Sequence, residues 1–143
     1  MKQANALNDE QLIQKFESCE LPFEQWDHRT HVKVAFLYLR AHDFETALQK
    51  MRTGVQAYNA ANRVPEGPLQ GYNETTTHAF LRLINAVIIH YKDAFPTPRA
   101  DEFCDTHPQL MSKHVLRFFY SAGHRLHPDA KTQFVEPDLT PLP

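Results

Sequence analysis

Apolar residues recur along this chain at the three- and four-residue spacing of amphipathic helices, and nowhere at the alternating spacing of a half-buried strand. Leu12, Phe16 and Cys19 mark a first helix, opened by Asn8 with Gln11 three residues on, the spacing of a capping box, and stopped at Glu20-Leu21-Pro22. Phe23 and Trp26 fall in the connector. Asp27 suits the N-cap of a second helix running to about Ala41, because its carboxylate meets the free backbone N–H groups of the next turn. Plotted at about 100° per residue, this helix gathers Arg29, Lys33 and Arg40 on one face. His31, Ala35, Tyr38, Val32 and Leu39 lie opposite, and His28 falls among them. The three cations read as a solvated surface.

Asp43 is placed to cap a third helix, with Phe44, Ala47, Leu48, Met51, Val55 and Tyr58 as one stripe. Glu45, Gln49, Arg52 and Gln56 face away, and the helix fades between Asn59 and Arg63. Residues 64–71 hold Pro and Gly enough for a shaped loop. From Asn73 to about Tyr91 the chain predicts the longest apolar helix, with Phe80, Ile84, Val87, Ile88 and Tyr91 inward, ended by Phe95-Pro96-Thr97-Pro98. A short helix from Thr97 or Pro98 through Cys104 follows, then a turn at His107-Pro108, then a helix from Lys113 to Tyr120 capped by Ser112. Ala122-Gly123 weakens any continuous helix beyond Ser121, and residues 134–139 read as an extended tail docked by its apolar side chains. The fold expected is all-α: a single-domain bundle of five or six helices over residues 1–143, ending in an extended C-terminal tail. In it the second and fourth helices bring their N-terminal ends together.

Composition narrows the classes of function. A chain of 143 residues buries about 70% of the surface of its unfolded form without staples. Hydrophobic residues at 42% and a net charge of −2 ask for neither nucleic acid nor an anionic membrane, so neither is expected as a partner. Cys19 and Cys104 fit no paired metal spacing and read as small buried hydrophobes of a reducing compartment. The first residues lack the apolar core of a signal peptide, no run approaches the ~18 apolar residues of a membrane span, and the expected location is the cytoplasm.

Four stretches stand out as motifs: Trp26-Asp27-His28-Arg29-Thr30-His31-Val32 with Ala35 to Leu39; Tyr72-Asn73-Glu74-Thr75-Thr76-Thr77; Phe119-Tyr120-Ser121 with Leu126; and Phe134-Val135-Glu136-Pro137-Asp138. Together they resemble a bacterial family of small helical proteins to which no biochemical activity is assigned. Members of that family carry a histidine between the tyrosine and the glutamate of the second motif, where this chain has Asn73. The resemblance implies that the histidine pair and the Tyr-x-Glu-Thr segment belong to one site.

His28 and His31, three apart, point to the same side of their helix. Asn73 and Thr77 share a face with Ile84 and Tyr91, with Glu74 at its boundary, so helix-end N–H groups, imidazoles and polar side chains converge. The leading expectation is a small polar pocket for an anionic or carbonyl-bearing molecule. Tyr72, Asn73 and Thr77 would bind the ligand, and His28, His31 and Glu74 would form the catalytic set. One histidine oriented by Glu74 would serve as general base while the other donates to an oxyanion. Three alternatives stay open. The histidines tie helices together by bonds to backbone carbonyls or to Glu74. Trp26, Phe36 and Leu37 form an exposed patch for a partner or a homodimer. Or His28, His31 and Glu74 hold a divalent metal, although Asn73 occupies the place of a third histidine. His78 is expected to face solvent, Tyr72 to pack against the core, and Ser121 with Arg125 to be either an anion site or a surface cap.

Overall fold

The computed structural model describes residues 7–91 and 99–143. The expected all-α architecture is present, and no strand occurs among the described residues. Five α-helices of about two turns or more carry it: α1 (Asp9–Glu17), α2 (His28–Ala41), α3 (Phe44–Ala61), α4 (Glu74–Tyr91) and α5 (Ala100–Thr106). Two single turns follow, α6 (Ala122–Arg125) and α7 (Pro128–Thr132).

The caps fall where side chains can take up orphan N–H groups. Asn8 and Gln11 form a reciprocal capping box on α1, while Asp27 accepts from Thr30 N at 2.9 Å and Asp43 from Thr46 N at 2.8 Å. Asn73 Oδ1 accepts from Thr76 N at 2.9 Å, which makes Asn73 the cap of α4 and not its first residue. The expected start of a helix at Thr97 or Pro98 lies outside the described residues, and α5 begins at Ala100.

One core fills the space between α2, α3 and α4. Val34, Phe36 and Tyr38 of α2, Met51 and Tyr58 of α3, and Leu81 and Ile84 of α4 are buried in it. Phe16 of α1 lies so close to α3 that a Cβ at Gly54 would stand 2.5 Å from its ring, so this approach depends on glycine. Phe16 in turn stacks on Trp26 at 4.8 Å.

Several expectations require correction. The cationic face of α2 is not merely solvated: Arg29 pairs with Asp101 and Asp105, and Lys33 with Asp101, which fastens α5 across α2. The same docking buries Phe36 against Phe103 at 4.3 Å between ring centroids, while Trp26 lies against Phe16, so the supposed apolar patch is largely covered. Residues 113–118 form a 3-10 helix instead of an α-helix reaching Tyr120, and Tyr120 turns in to donate to Val135 O at 2.7 Å. His78 does not face solvent, because the C-terminal tail lays Phe134 over its ring at 3.9 Å.

The tail is extended, as expected, and docked by polar as well as apolar contacts. Buried Thr75 accepts from Val135 N at 3.1 Å and donates to Gln133 O at 3.0 Å, so one hydroxyl closes two backbone bonds. Tyr91 is partly exposed, not inward. Cys104 is buried and its thiol is pushed up to about 11, chiefly by burial, which suits an inert core residue. No helix among the described residues is long and apolar enough to cross a membrane.

Candidate functional site

The N-terminal ends of α2 and α4 meet at a half-open cavity of about 350 Å³, bordered elsewhere by α3, by the loop of residues 64–71 and by the turns that follow α5. Trp26, His28, His31, Tyr72, Asn73 and Thr77 all line it. Five of the six expected site residues therefore share one pocket.

Both imidazoles are held by backbone carbonyls. His28 Nε2 lies 2.9 Å from Leu110 O, and His31 Nδ1 lies 2.8 Å from Asp27 O. A carbonyl only accepts, so each of those nitrogens carries the proton and the opposite ring nitrogen keeps its lone pair. Ring contacts complete the positioning. Trp26 covers His31 at 3.8 Å, and Phe80 meets His28 edge-on at 4.9 Å. Burial above all, helped by the charge of Lys113, pushes His31 down to about 4 against the pull of the Asp27 carbonyl; burial also holds His28 below its ordinary value. Both rings are neutral near pH 7.

Glu74 is the exception among the expected residues. Its carboxylate is turned to the far side of Tyr72, where Arg52 grips it with Nε at 2.9 Å and Nη2 at 2.6 Å, and the Tyr72 hydroxyl donates to it at 2.7 Å. Burial pushes this carboxyl up, but Arg52 and Tyr72 outweigh burial and hold it below the usual range. The expected Glu74–histidine pair is therefore replaced by a Glu74–arginine pair. The reason is electrostatic: a guanidinium satisfies both carboxylate oxygens, which a neutral imidazole cannot do. Asn73 likewise spends its carbonyl oxygen on the cap of α4.

The rest of the wall divides by chemistry. Val32, Met51, Val55, Phe80, Leu81 and Ile84 form an apolar floor. Lys113, Arg125 and Lys131 supply positive charge, and among the described residues no Asp or Glu is on the wall. Lys131 is engaged by Glu66 at 3.0 Å and by the carbonyls of Gln70 and Tyr72, which ties the 64–71 loop to α7. Gly71 adopts φ +87°, a backbone conformation that residues with a Cβ rarely take, and it lies against the Glu66 carboxylate. Lys113 has no ion-pair partner among the described residues.

Ser121 and Arg125 separate. Ser121 caps α6 and donates to Asp138 at 2.6 Å, whereas Arg125 joins the pocket wall. Lys113 could not be found from its surroundings in sequence, because a lysine after a capping serine carries no pattern. Arg125 had one weak signal, its place one turn after Ser121. Among the described residues no three His, Cys, Asp or Glu side chains are grouped as a metal centre, and Glu74, the third ligand a metal would need, is held by Arg52. No protein-family model, curated protein or solved structure matches the chain.

Proposed function

We propose that this protein binds a small organic acid in the pocket between the N-terminal turns of α2 and α4. The observation that carries this reading is the sign of the wall: among the described residues Lys113 and Arg125 line the cavity without an ion-pair partner, Lys131 is already paired with Glu66, and no carboxylate is on the wall, in a chain whose net charge is −2. Much of the remaining wall is apolar, so the occupant has an anionic head and a hydrocarbon body. The neutral imidazoles, each fixed through its N–H, supply lone pairs beside the head. In that position they serve as acceptors toward the ligand, and as a general base if the ligand carries a removable proton.

Thermal unfolding with matched acids and amides tests the reading. A ligand that binds only the folded chain, present at a hundredfold excess over its Kd, adds about 2.7 kcal/mol, on the order of 5–10 °C in Tm. Phenylacetate and hexanoate are expected to raise Tm, phenylacetamide and hexanamide to leave it unchanged, and the double variant Lys113→Gln, Arg125→Gln to lose the response. Equal shifts with acids and amides, or none with either, would overturn the proposal.

A further inference from the structure

Among the described residues two buried side-chain atoms have no hydrogen-bond partner, His28 Nδ1 and Arg125 Nε, and both residues stand on the wall of the same cavity. An unpaired buried polar atom costs about 1–3 kcal/mol, and two of them on residues of one cavity wall point to an occupant toward which small side-chain rotations would turn them. They differ in kind. His28 has committed its Nε2 proton to Leu110 O, which leaves Nδ1 able only to accept. Arg125 Nε–H can only donate.

This complement selects among small acids. A plain carboxylate satisfies Arg125 and leaves His28 Nδ1 without a donor. An alcohol does the reverse and leaves the guanidinium charge unmatched. An amino acid would offer both groups, but its ammonium would sit near Lys113, whose charge already acts on both imidazoles, and no carboxylate on the wall would pair with it. A hydroxyl donates without bringing a charge.

We infer that the occupant is a hydroxy acid, its carboxylate on Arg125 and Lys113 and its hydroxyl donating to His28 Nδ1, with the hydrocarbon part against Val55, Phe80 and Ile84. The inference rests on the reading of the cavity as an acid pocket and adds a second point of recognition to it. His28 is then the residue that distinguishes hydroxylated acids from their parents, and Arg125 serves both alike.

Calorimetric titration of matched pairs decides this: mandelate against phenylacetate, and α- and β-hydroxyhexanoate against hexanoate, with phenylalanine and phenyllactate as the amino–hydroxy pair. The hydroxylated member is expected to bind at least tenfold tighter in at least one pair, since its absence leaves a buried acceptor unmet. Phenyllactate is expected to exceed phenylalanine. In His28→Phe the ratio within each pair should fall to about one, whereas Arg125→Gln should weaken both members and keep the ratio. Because the wild-type ratio needs no variant, the inference can be judged even if His28→Phe does not fold. Equal binding within every pair would overturn it while leaving the acid pocket standing; no binding by any acid would overturn both.

Discussion

Tyr72 stands between two polar clusters built from the same helix ends, and they have opposite character. On one side Arg52, Glu74 and the Tyr72 hydroxyl close on one another, with both oxygens of the carboxylate and the phenol proton used. On the other, His28 and His31 each spend one nitrogen on a backbone carbonyl and keep the other, and Arg125 Nε has no partner. The closed cluster is charged and its groups are matched; the open one is neutral at the imidazoles and positive around them. A buried polar group that has found its partners holds structure, whereas one with valence to spare is available to a ligand. By that criterion Glu74 belongs to the architecture of α3 and α4, and the histidines to the proposed site.

The largest test of this division is Arg52→Met, which keeps an unbranched apolar stem and removes the guanidinium. It leaves Glu74 buried without its counter-ion, and with Arg52 about a third exposed the expected loss is about 3 kcal/mol in unfolding free energy. Glu74→Gln in the same background should restore part of it, a non-additivity that a denaturant series would measure. A loss under about 0.5 kcal/mol would dissolve the distinction between the two clusters.

Acid separates them next. The unfolded chain protonates His31 near pH 6.5, but the folded chain holds it down to about 4, so between these values the unfolded state binds more protons. The stabilising effect is therefore complete above about pH 6.5 and is lost as pH falls through about 4, by about 3 kcal/mol. His28, His78 and His107 are also lowered and add to the same window. Glu74, held below the ordinary carboxylate range, contributes stability that is lost only as pH falls further, through its folded value. Tm measured across this range should fall in two stages: His31→Phe should flatten the upper one and Glu74→Gln the lower. A His31→Phe profile parallel to wild type would remove His31 from the account.

How far the sequence reached follows the same line between local and distant causes. Caps at Asn8, Asp27 and Asp43 and the stripe of α3 are readable because each depends on neighbours within four residues. The convergence of His28, His31, Tyr72, Asn73 and Thr77 followed from helix phase, since α2 and α4 each present one apolar face to a common core. Partners chosen across the fold were not readable. Glu74 could have met an imidazole or a guanidinium, and only the packing of α3 beside α4 brings Arg52 within reach. His78 lies on the polar side by phase alone, yet Phe134, 56 positions later, covers it. Arg29 and Lys33 look solvated until α5 supplies Asp101 and Asp105. Lys113, which lines the pocket, and Leu110, whose carbonyl holds His28, come from two successive 3-10 turns whose place depends on the whole bundle.

The smallest effect tests whether the open cluster is supported from behind. Gly54 gives α3 a gap into which Phe16 fits, Phe16 stacks on Trp26, and Trp26 covers His31, so a chain of ring contacts runs from α3 to the pocket. Gly54→Ala gains about 1 kcal/mol of helix propensity, but its Cβ would stand 2.5 Å from a ring already confined by Trp26 and Tyr58, an overpacking that costs about 1–3 kcal/mol. The expected net loss is about 1 kcal/mol. Trp26 is the chain's single tryptophan, so its emission reports the displacement directly and should change with the substitution, whereas the acid stage assigned to Glu74 should not move. A stabilised Gly54→Ala with unaltered emission would mean that Phe16 yields freely, and that His31 is held by its bond to Asp27 O and not by the rings behind it.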